Sequence, residues 1–279
     1  MSLEEKYGVL QRVLKELGKV MVAYSGGVDS TLLLKAAVET LGAENVLGCI
    51  AVGVVHPKGQ YEGARKLAQE VGVELIAVEP NDLADPKFTS NTPQRCFHCK
   101  SNICKALLEL AAERGLDYVI FGTNADDESD FRPGNKALES FGIRSPLAEA
   151  DLTKSEIREL SRQFGLSTAE MPANPCLVSR LEYHLPITEE RLRQIDEAER
   201  LLRRLGFNEC RVRHHNTIAR VEVRAQDIAK IVAEPVRSKV VDTLKALGFG
   251  FVTVDLQGFR SGSLNEPLSE EQKQADPGE

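Results

Sequence analysis

Residues 25–30, Ser25-Gly26-Gly27-Val28-Asp29-Ser30, follow an apolar stretch and open an amphipathic one. Adjacent glycines let the backbone turn sharply and approach an anion. Amides freed at a helix N-terminus then point at that anion, with the helix dipole behind them. Ser25 and Ser30 add hydroxyl donors. Asp29 would repel a phosphate unless a divalent cation bridged the two, so Mg²⁺ is its natural partner. The plainer alternative is a strand-to-helix turn with Ser30 as its cap.

A second concentration of reactive groups is Cys96-Phe97-His98-Cys99, read as lying just before a helix and followed at once by Lys100. A helix N-terminus and a nearby cation both favour thiolate. The spacing fits half a zinc site, a redox pair or two cluster ligands, and the chain has no second CxxC. Cys176 sits between Pro175 and Leu177, in a stretch that Pro172 and Pro175 keep from being helical. Three thiolates leave one iron of a [4Fe–4S] cube without a protein ligand, open to an exogenous sulfide. Cys49, Cys104 and Cys210 fall within apolar patterns and read as core residues. Arg211 and Arg213 share one face of a strand, which suits either a phosphate clamp or a solvated face. Lys100 could steady an adenylate or lie on a helix surface. Glu199 reads as a solvent-facing helix residue. His98, His214 and His215 acquire no role from their spacing.

The elements that must position these groups alternate regularly. Strands at Val20–Tyr24, Val46–Val55, Glu74–Val78 and Tyr118–Gly122 are interleaved with helices at about 30–41, 61–71 and 100–114. That order predicts a parallel sheet with helices on both faces. A helix-opening signal at Ser155, with Thr153 before it and Glu156 after it, begins a further helix that ends at Phe164–Gly165. After about residue 180 the pattern changes to a helix capped by Thr188, two alternating strands at 209–213 and 218–223, a helix over 226–247 with a break at Pro235, and a last strand at 251–256. This predicts a smaller α+β domain with hairpin pairing. The expected organisation is 1–180, 181–268 and a polar tail at 269–279. The 279 residues carry 35 basic and 42 acidic side chains, a balance that argues against a nucleic-acid partner. No apolar run approaches the ~20 residues of a membrane helix. The charged N-terminus lacks an apolar signal core, so a cytoplasmic location is expected.

Ser25–Ser30 and Phe121-Gly122-Thr123-Asn124-Ala125-Asp126-Asp127 resemble segments of the ATP-pyrophosphatase (phosphate-loop) superfamily. The resemblance implies an adenine-nucleotide alpha-hydrolase-like fold with a five-stranded parallel sheet, ATP at residues 25–30 and Gly122, and adenylation with pyrophosphate as leaving group. The match narrows with Asn91-Thr92-Pro93, Asp130-Phe131-Arg132-Pro133-Gly134, Arg144-Ser145-Pro146-Leu147, the Cys176 loop, Arg211–Asn216 and Asp255–Gly262. Together these resemble the ATP-dependent sulfur transferases that build the nickel-pincer nucleotide of lactate racemase. In that family ATP activates a carboxylate of pyridinium-3,5-biscarboxylic acid mononucleotide, and sulfur displaces AMP to give a thiocarboxylate. One version surrenders the sulfur of a single cysteine matching Cys176. Having Cys96 and Cys99 as well, this chain is similar to the three-cysteine version, in which the trio ligates a [4Fe–4S] cluster. The resemblance further implies Mg²⁺ at Asp29, substrate phosphate at Arg180, Arg211 and Arg213, an acid near the substrate at Glu199, and homo-oligomeric assembly; it leaves the sulfur donor open. Two competing readings are a cluster-dependent tRNA thiolase of the same superfamily and a non-catalytic ATP-binding protein with a structural zinc.

Overall fold

Alternation decides the first sheet. Val20 and Val22 contribute to one apolar cluster and Met21 to another, as Val46 and Ile50 oppose Leu47 and Cys49 on the next strand. A strand with both faces apolar belongs in a sheet covered on both sides. The computed structural model describes residues 1–128, 133–172, 174–260, 262–266, 268–269 and 272. Asp130, Phe131, Arg132, Ala173, Ser261 and most of the expected tail lie outside the described residues.

In chain order the elements are α1 (Leu3–Leu17), β1 (Val20–Ala23), α2 (Val28–Leu41), β2 (Val46–Ala51), α3 (Gln60–Val71), β3 (Leu75–Val78), α4 (Pro86–Thr89) and α5 (Arg95–Glu113). There follow β4 (Tyr118–Phe121), α6 (Pro133–Ser140), α7 (Pro146–Glu149), α8 (Lys154–Gln163) and α9 (Glu189–Arg204). The last are β5 (Cys210–His215), β6 (Ile218–Val223), α10 (Ile228–Val232), α11 (Val236–Ala246) and β7 (Phe251–Val254).

The chain divides into two compact units. One comprises Met1–Gly53, Lys58–Asp82 and Cys96–Asn174; the other comprises Val54–Pro57, Leu83–Arg95 and Pro175–Glu279. In the first, strands run parallel in the order β3-β2-β1-β4. The fifth position of the sheet is only a single parallel bridge, Ile120 to Arg144, beside β4. Residues of α1, α2, α3 and α8 build the cluster on one face, and those of α5 and α6 build the cluster on the other. The box Thr153/Glu156 caps α8, which opens at Lys154, one residue before the expected signal at Ser155.

In the second unit β5 and β6 form the expected antiparallel hairpin, but β7 adds to β6 in parallel, giving a mixed sheet in the order β5-β6-β7. A strand arriving after α10 and α11 has the crossover that parallel pairing requires. One face of this sheet, with Val212, Ala219, Val221 and Val223, packs with Ala198, Leu202 and Leu244. Arg211, Arg213, Arg220 and Glu222 alternate onto the other face. Thr188 caps α9, and the helical stretch after 226 is interrupted at Pro235. Among the described residues no helix is long and apolar enough to cross a membrane.

Candidate functional site

The loop after β1 has the construction of an anion cradle. Gly27 is the N-cap of α2 and offers no side chain to its amides, so the first-turn N–H groups have no side-chain cap. Gly26 has φ +76°, and a Cβ there would lie 3.1 Å from the Cβ of Ala64. Ser25 and Ser30 hold the turn: their hydroxyls are 3.0 Å apart, and Ser25 N donates to Ser30 Oγ at 3.2 Å. Gly122, at the end of β4, passes so close that a Cβ would sit 3.0 Å from Ser30 N and 3.2 Å from Asp29 C. Val28 is buried in the core beneath the loop.

Asp29 explains why a cation suits this loop. Its Oδ2 pairs with Lys154 Nζ at 2.5 Å, while its Oδ1 is buried with no hydrogen-bond partner. An orphaned carboxylate oxygen fits a hard divalent ion such as Mg²⁺. Lys154 is a residue that sequence reading missed. Its backbone N donates to Asp126 Oδ2 at 2.7 Å, and Asp126 N in turn donates to Asn124 Oδ1 at 3.0 Å. The 121–127 segment thus anchors the first residue of α8, whose side chain reaches the loop. The capping box Thr153/Glu156 was the available signal, since it places Lys154 at a helix start.

The cysteines separate into two classes. Cys49, Cys104 and Cys210 are buried, and burial pushes their thiols up to about 12, 11 and 12 respectively. Cys96 is exposed, and Cys99 and Cys176 are half-buried. The CxxC does not precede its helix. Helix α5 opens at Arg95, after a turn in which Arg95 N donates to Thr92 O at 3.0 Å. Cys96 and Cys99 therefore stand one turn apart on one helix face. Cys99 Sγ donates to Asp82 Oδ2 at 3.7 Å, and Asn102 Nδ2 donates to Asp82 Oδ1 at 3.2 Å. Asp82 is buried, and nothing in its sequence neighbourhood marked it. Lys100 Nζ lies 4.5 Å over the Phe121 ring, and His98 packs edge-on to Phe97. Cys176 belongs to the second unit. Among the described residues no three His, Cys, Asp or Glu side chains are assembled as a metal-binding group.

The arginines expected at a phosphate are not equivalent. Arg180 is fully buried, and its Nε and Nη2 donate to Glu199 at 2.9 and 3.1 Å. Arg213 is buried too, donating from Nε and Nη2 to Glu222 at 3.0 and 2.9 Å. Arg211 is half-buried, with Nη1 on its neighbour's carbonyl, Cys210 O, at 2.7 Å and its guanidinium 5.2 Å from the Phe259 ring. Burial, and then the Arg180 guanidinium, hold Arg211 below the usual arginine range. Glu199 does not face solvent as its helical position suggested. It is fully buried and also accepts from Val212 N at 3.2 Å and Arg203 Nη2 at 2.6 Å. His214 is buried against Gln194 Oε1 at 2.9 Å, and burial pushes its imidazole down to about 4. His215 Nδ1 meets Glu182 Oε2 at 3.0 Å.

Residues 3–176 match the NAD synthase family. A protein of Lactiplantibacillus plantarum named pyridinium-3,5-bisthiocarboxylic acid mononucleotide synthase is 37% identical over 271 residues, covering 97% of this chain and 98% of that one. An uncharacterized protein of Synechocystis is 41% identical over 267 residues, covering 96% and 99%. A tRNA-specific 2-thiouridylase of Carboxydothermus hydrogenoformans is 28% identical over 224 residues, covering 63% and 60%. With a phosphate loop at the carboxyl end of β1 and near-full-length kinship to a thiocarboxylate-forming synthase, the chain belongs to the NAD synthase family of phosphate-loop enzymes and, within it, to the family of that synthase.

Proposed function

We propose that the protein is an AMP-forming sulfur transferase acting on pyridinium-3,5-biscarboxylic acid mononucleotide. The observation that carries this reading is the match to the Lactiplantibacillus plantarum synthase along 97% of the chain. The cradle at residues 25–30 supports its first half-reaction. A carboxylate is a poor electrophile. Its oxygen attacks the α-phosphorus of ATP, the bond to the bridging oxygen breaks, and pyrophosphate leaves. The amides of α2 and the hydroxyls of Ser25 and Ser30 are the donors for that departing charge. Asp29 is the group to hold Mg²⁺, and Lys154 its cationic neighbour. In the second half-reaction a sulfide attacks the acyl carbon, AMP leaves with the electron pair of the acyl–oxygen bond, and a proton is released from the sulfide.

Cys176 is assigned to the sulfur-transfer step, with Cys96 and Cys99 as its partners in a cluster site. The contrast between these three accessible thiols and the three buried ones supports that choice. A [4Fe–4S] cluster with an open iron would supply a sulfide held ready as nucleophile. Arg211 is assigned to the substrate phosphate. Assembly as a homo-oligomer belongs to the same proposal.

The test is incubation of anaerobically purified protein with ATP, Mg²⁺, sulfide and the biscarboxylic mononucleotide. The expected outcome is AMP, pyrophosphate and a mass gain of one sulfur-for-oxygen exchange per carboxylate. The second reading, a tRNA thiolase, is favoured by the match to the 2-thiouridylase. Sulfur appearing in tRNA and not in the mononucleotide would select it. Stoichiometric zinc without iron, and no AMP formed, would select the non-catalytic reading.

A further inference from the structure

Arg180 and Arg213 were both read as phosphate ligands, yet each already has a complete set of partners, and those partners converge on the Cys176 loop. Arg180 Nη1 donates to Pro175 O at 2.6 Å, Cys176 O at 2.9 Å and Ser179 Oγ at 3.0 Å. Arg213 Nη1 donates to Ser179 O at 2.8 Å, and its Nη2 also reaches Ser263 Oγ at 3.0 Å. On their other edges the two guanidiniums are locked by Glu199 and Glu222, both buried. Arg213 lies directly across from Arg220 in the β5–β6 register, and Glu222, which also accepts from Arg220 Nη2 at 3.2 Å, separates the like charges.

The loop needs such support. Pro175 has no N–H to give, and in the short 3₁₀ turn at Leu177–Arg180 Cys176 O accepts from Ser179 N at 3.1 Å and Ser179 Oγ at 2.8 Å. Guanidinium groups supply rigid, forked donors to the Pro175 and Cys176 carbonyls. To take a phosphate instead, either arginine would have to leave a buried carboxylate unpaired, which is strongly disfavoured.

We propose that Arg180 and Arg213 are positioning residues that clamp the Cys176 loop in one conformation. The functional meaning rests on the reading that Cys176 takes part in sulfur transfer, but the clamp itself is testable without turnover. The readout is the rate of iodoacetamide alkylation at Cys176 and Cys96, followed by mass spectrometry on the full-length protein. Arg180→Lys and Arg213→Lys should each accelerate alkylation of Cys176 several-fold while leaving Cys96 unchanged. Glu199→Gln and Glu222→Gln, which keep the side-chain shapes, should do the same and serve if a lysine variant does not fold. Alkylation of Cys176 at the wild-type rate in the folded variants overturns the clamp.

Failure of thiocarboxylate formation would sink the proposed reaction while leaving the alkylation comparison interpretable.

Discussion

The proposed reaction assigns Asp29 and Cys176 to different half-reactions, so the two can be separated experimentally. Asp29→Asn removes the carboxylate proposed to hold Mg²⁺ and the partner of Lys154. ATP–pyrophosphate exchange dependent on the mononucleotide should fall by about a hundredfold or more, the scale of lost metal assistance. Cys176→Ala should leave that exchange intact and abolish thiocarboxylate formation; undiminished product by mass spectrometry would remove Cys176 from the chemistry. His214 gives a prediction about stability. Its buried imidazole titrates at about 4, against about 6.5 when unfolded, so between these values the unfolded state binds more protons. Stability is therefore complete above pH 6.5 and declines as the pH falls toward 4, by about 3 kcal/mol in the limit. Urea midpoints at pH 7 and pH 4.5 should differ less in His214→Gln than in the wild type. What sequence could reveal at this scale was residue type and local spacing. The core cysteines and the phosphate loop were readable because their signals are contiguous. Glu199 was misread because its partner Arg180 lies 19 positions away, and Lys154 was missed because Asp29 lies 125 positions away.

At the scale of elements, alternation and caps transmitted most of the architecture. The two-sided strands, the start of α8 at Thr153, the start of α9 at Thr188 and the interruption at Pro235 all follow from local rules. Two features escaped. Helix α5 begins at Arg95 because a turn at Thr92 sets it up, and no residue type in the CxxC announces that. The parallel placement of β7 depends on which edge of the hairpin remains open, which is a tertiary choice. The close pass of β4 over the N-terminus of α2 yields a sharp prediction. Gly122→Ala would place a methyl group 3.0 Å from Ser30 N, with rigid backbone on the opposing side. The strand end and the helix must then separate, costing about 1–3 kcal/mol as in other overpacked sites. Thermal unfolding should show that loss, and KM for ATP should rise. A variant with unaltered KM would mean that this contact does not set the cradle.

At the scale of the whole molecule, both units are discontinuous in sequence. Val54–Pro57 and Leu83–Arg95 belong with the residues from Pro175 onward. The expected organisation placed a boundary at 180 and drew no such excursions, because no composition change marks them. Their attachment is specific. Asn91 Nδ2 donates to Glu182 O at 2.8 Å and Leu185 O at 2.7 Å, Leu177 N donates to Val55 O at 2.8 Å, and Arg95 stacks 4.3 Å over Tyr183. A fragment beginning at Pro175 therefore lacks partners for its own loop. Expressed alone it should melt less cooperatively, by circular dichroism, than a fragment supplied with an 83–95 peptide. Asn91→Ala in the full chain should destabilise by about 2 kcal/mol, since two carbonyls lose their donor.

The same discontinuity imposes an order on synthesis. A ribosome delivers every strand of the first sheet by Phe121, whereas the partners of Val55, Thr89 and Asn91 emerge only after Pro175. The stretch carrying the aromatic ring of Phe88 must wait undocked while about ninety further residues are added, and Val54–Pro57 while about 120 are, which at typical elongation rates takes several seconds. Nascent chains stalled before Pro175 should accordingly expose that ring to chaperones, and release of the C-terminus should withdraw it.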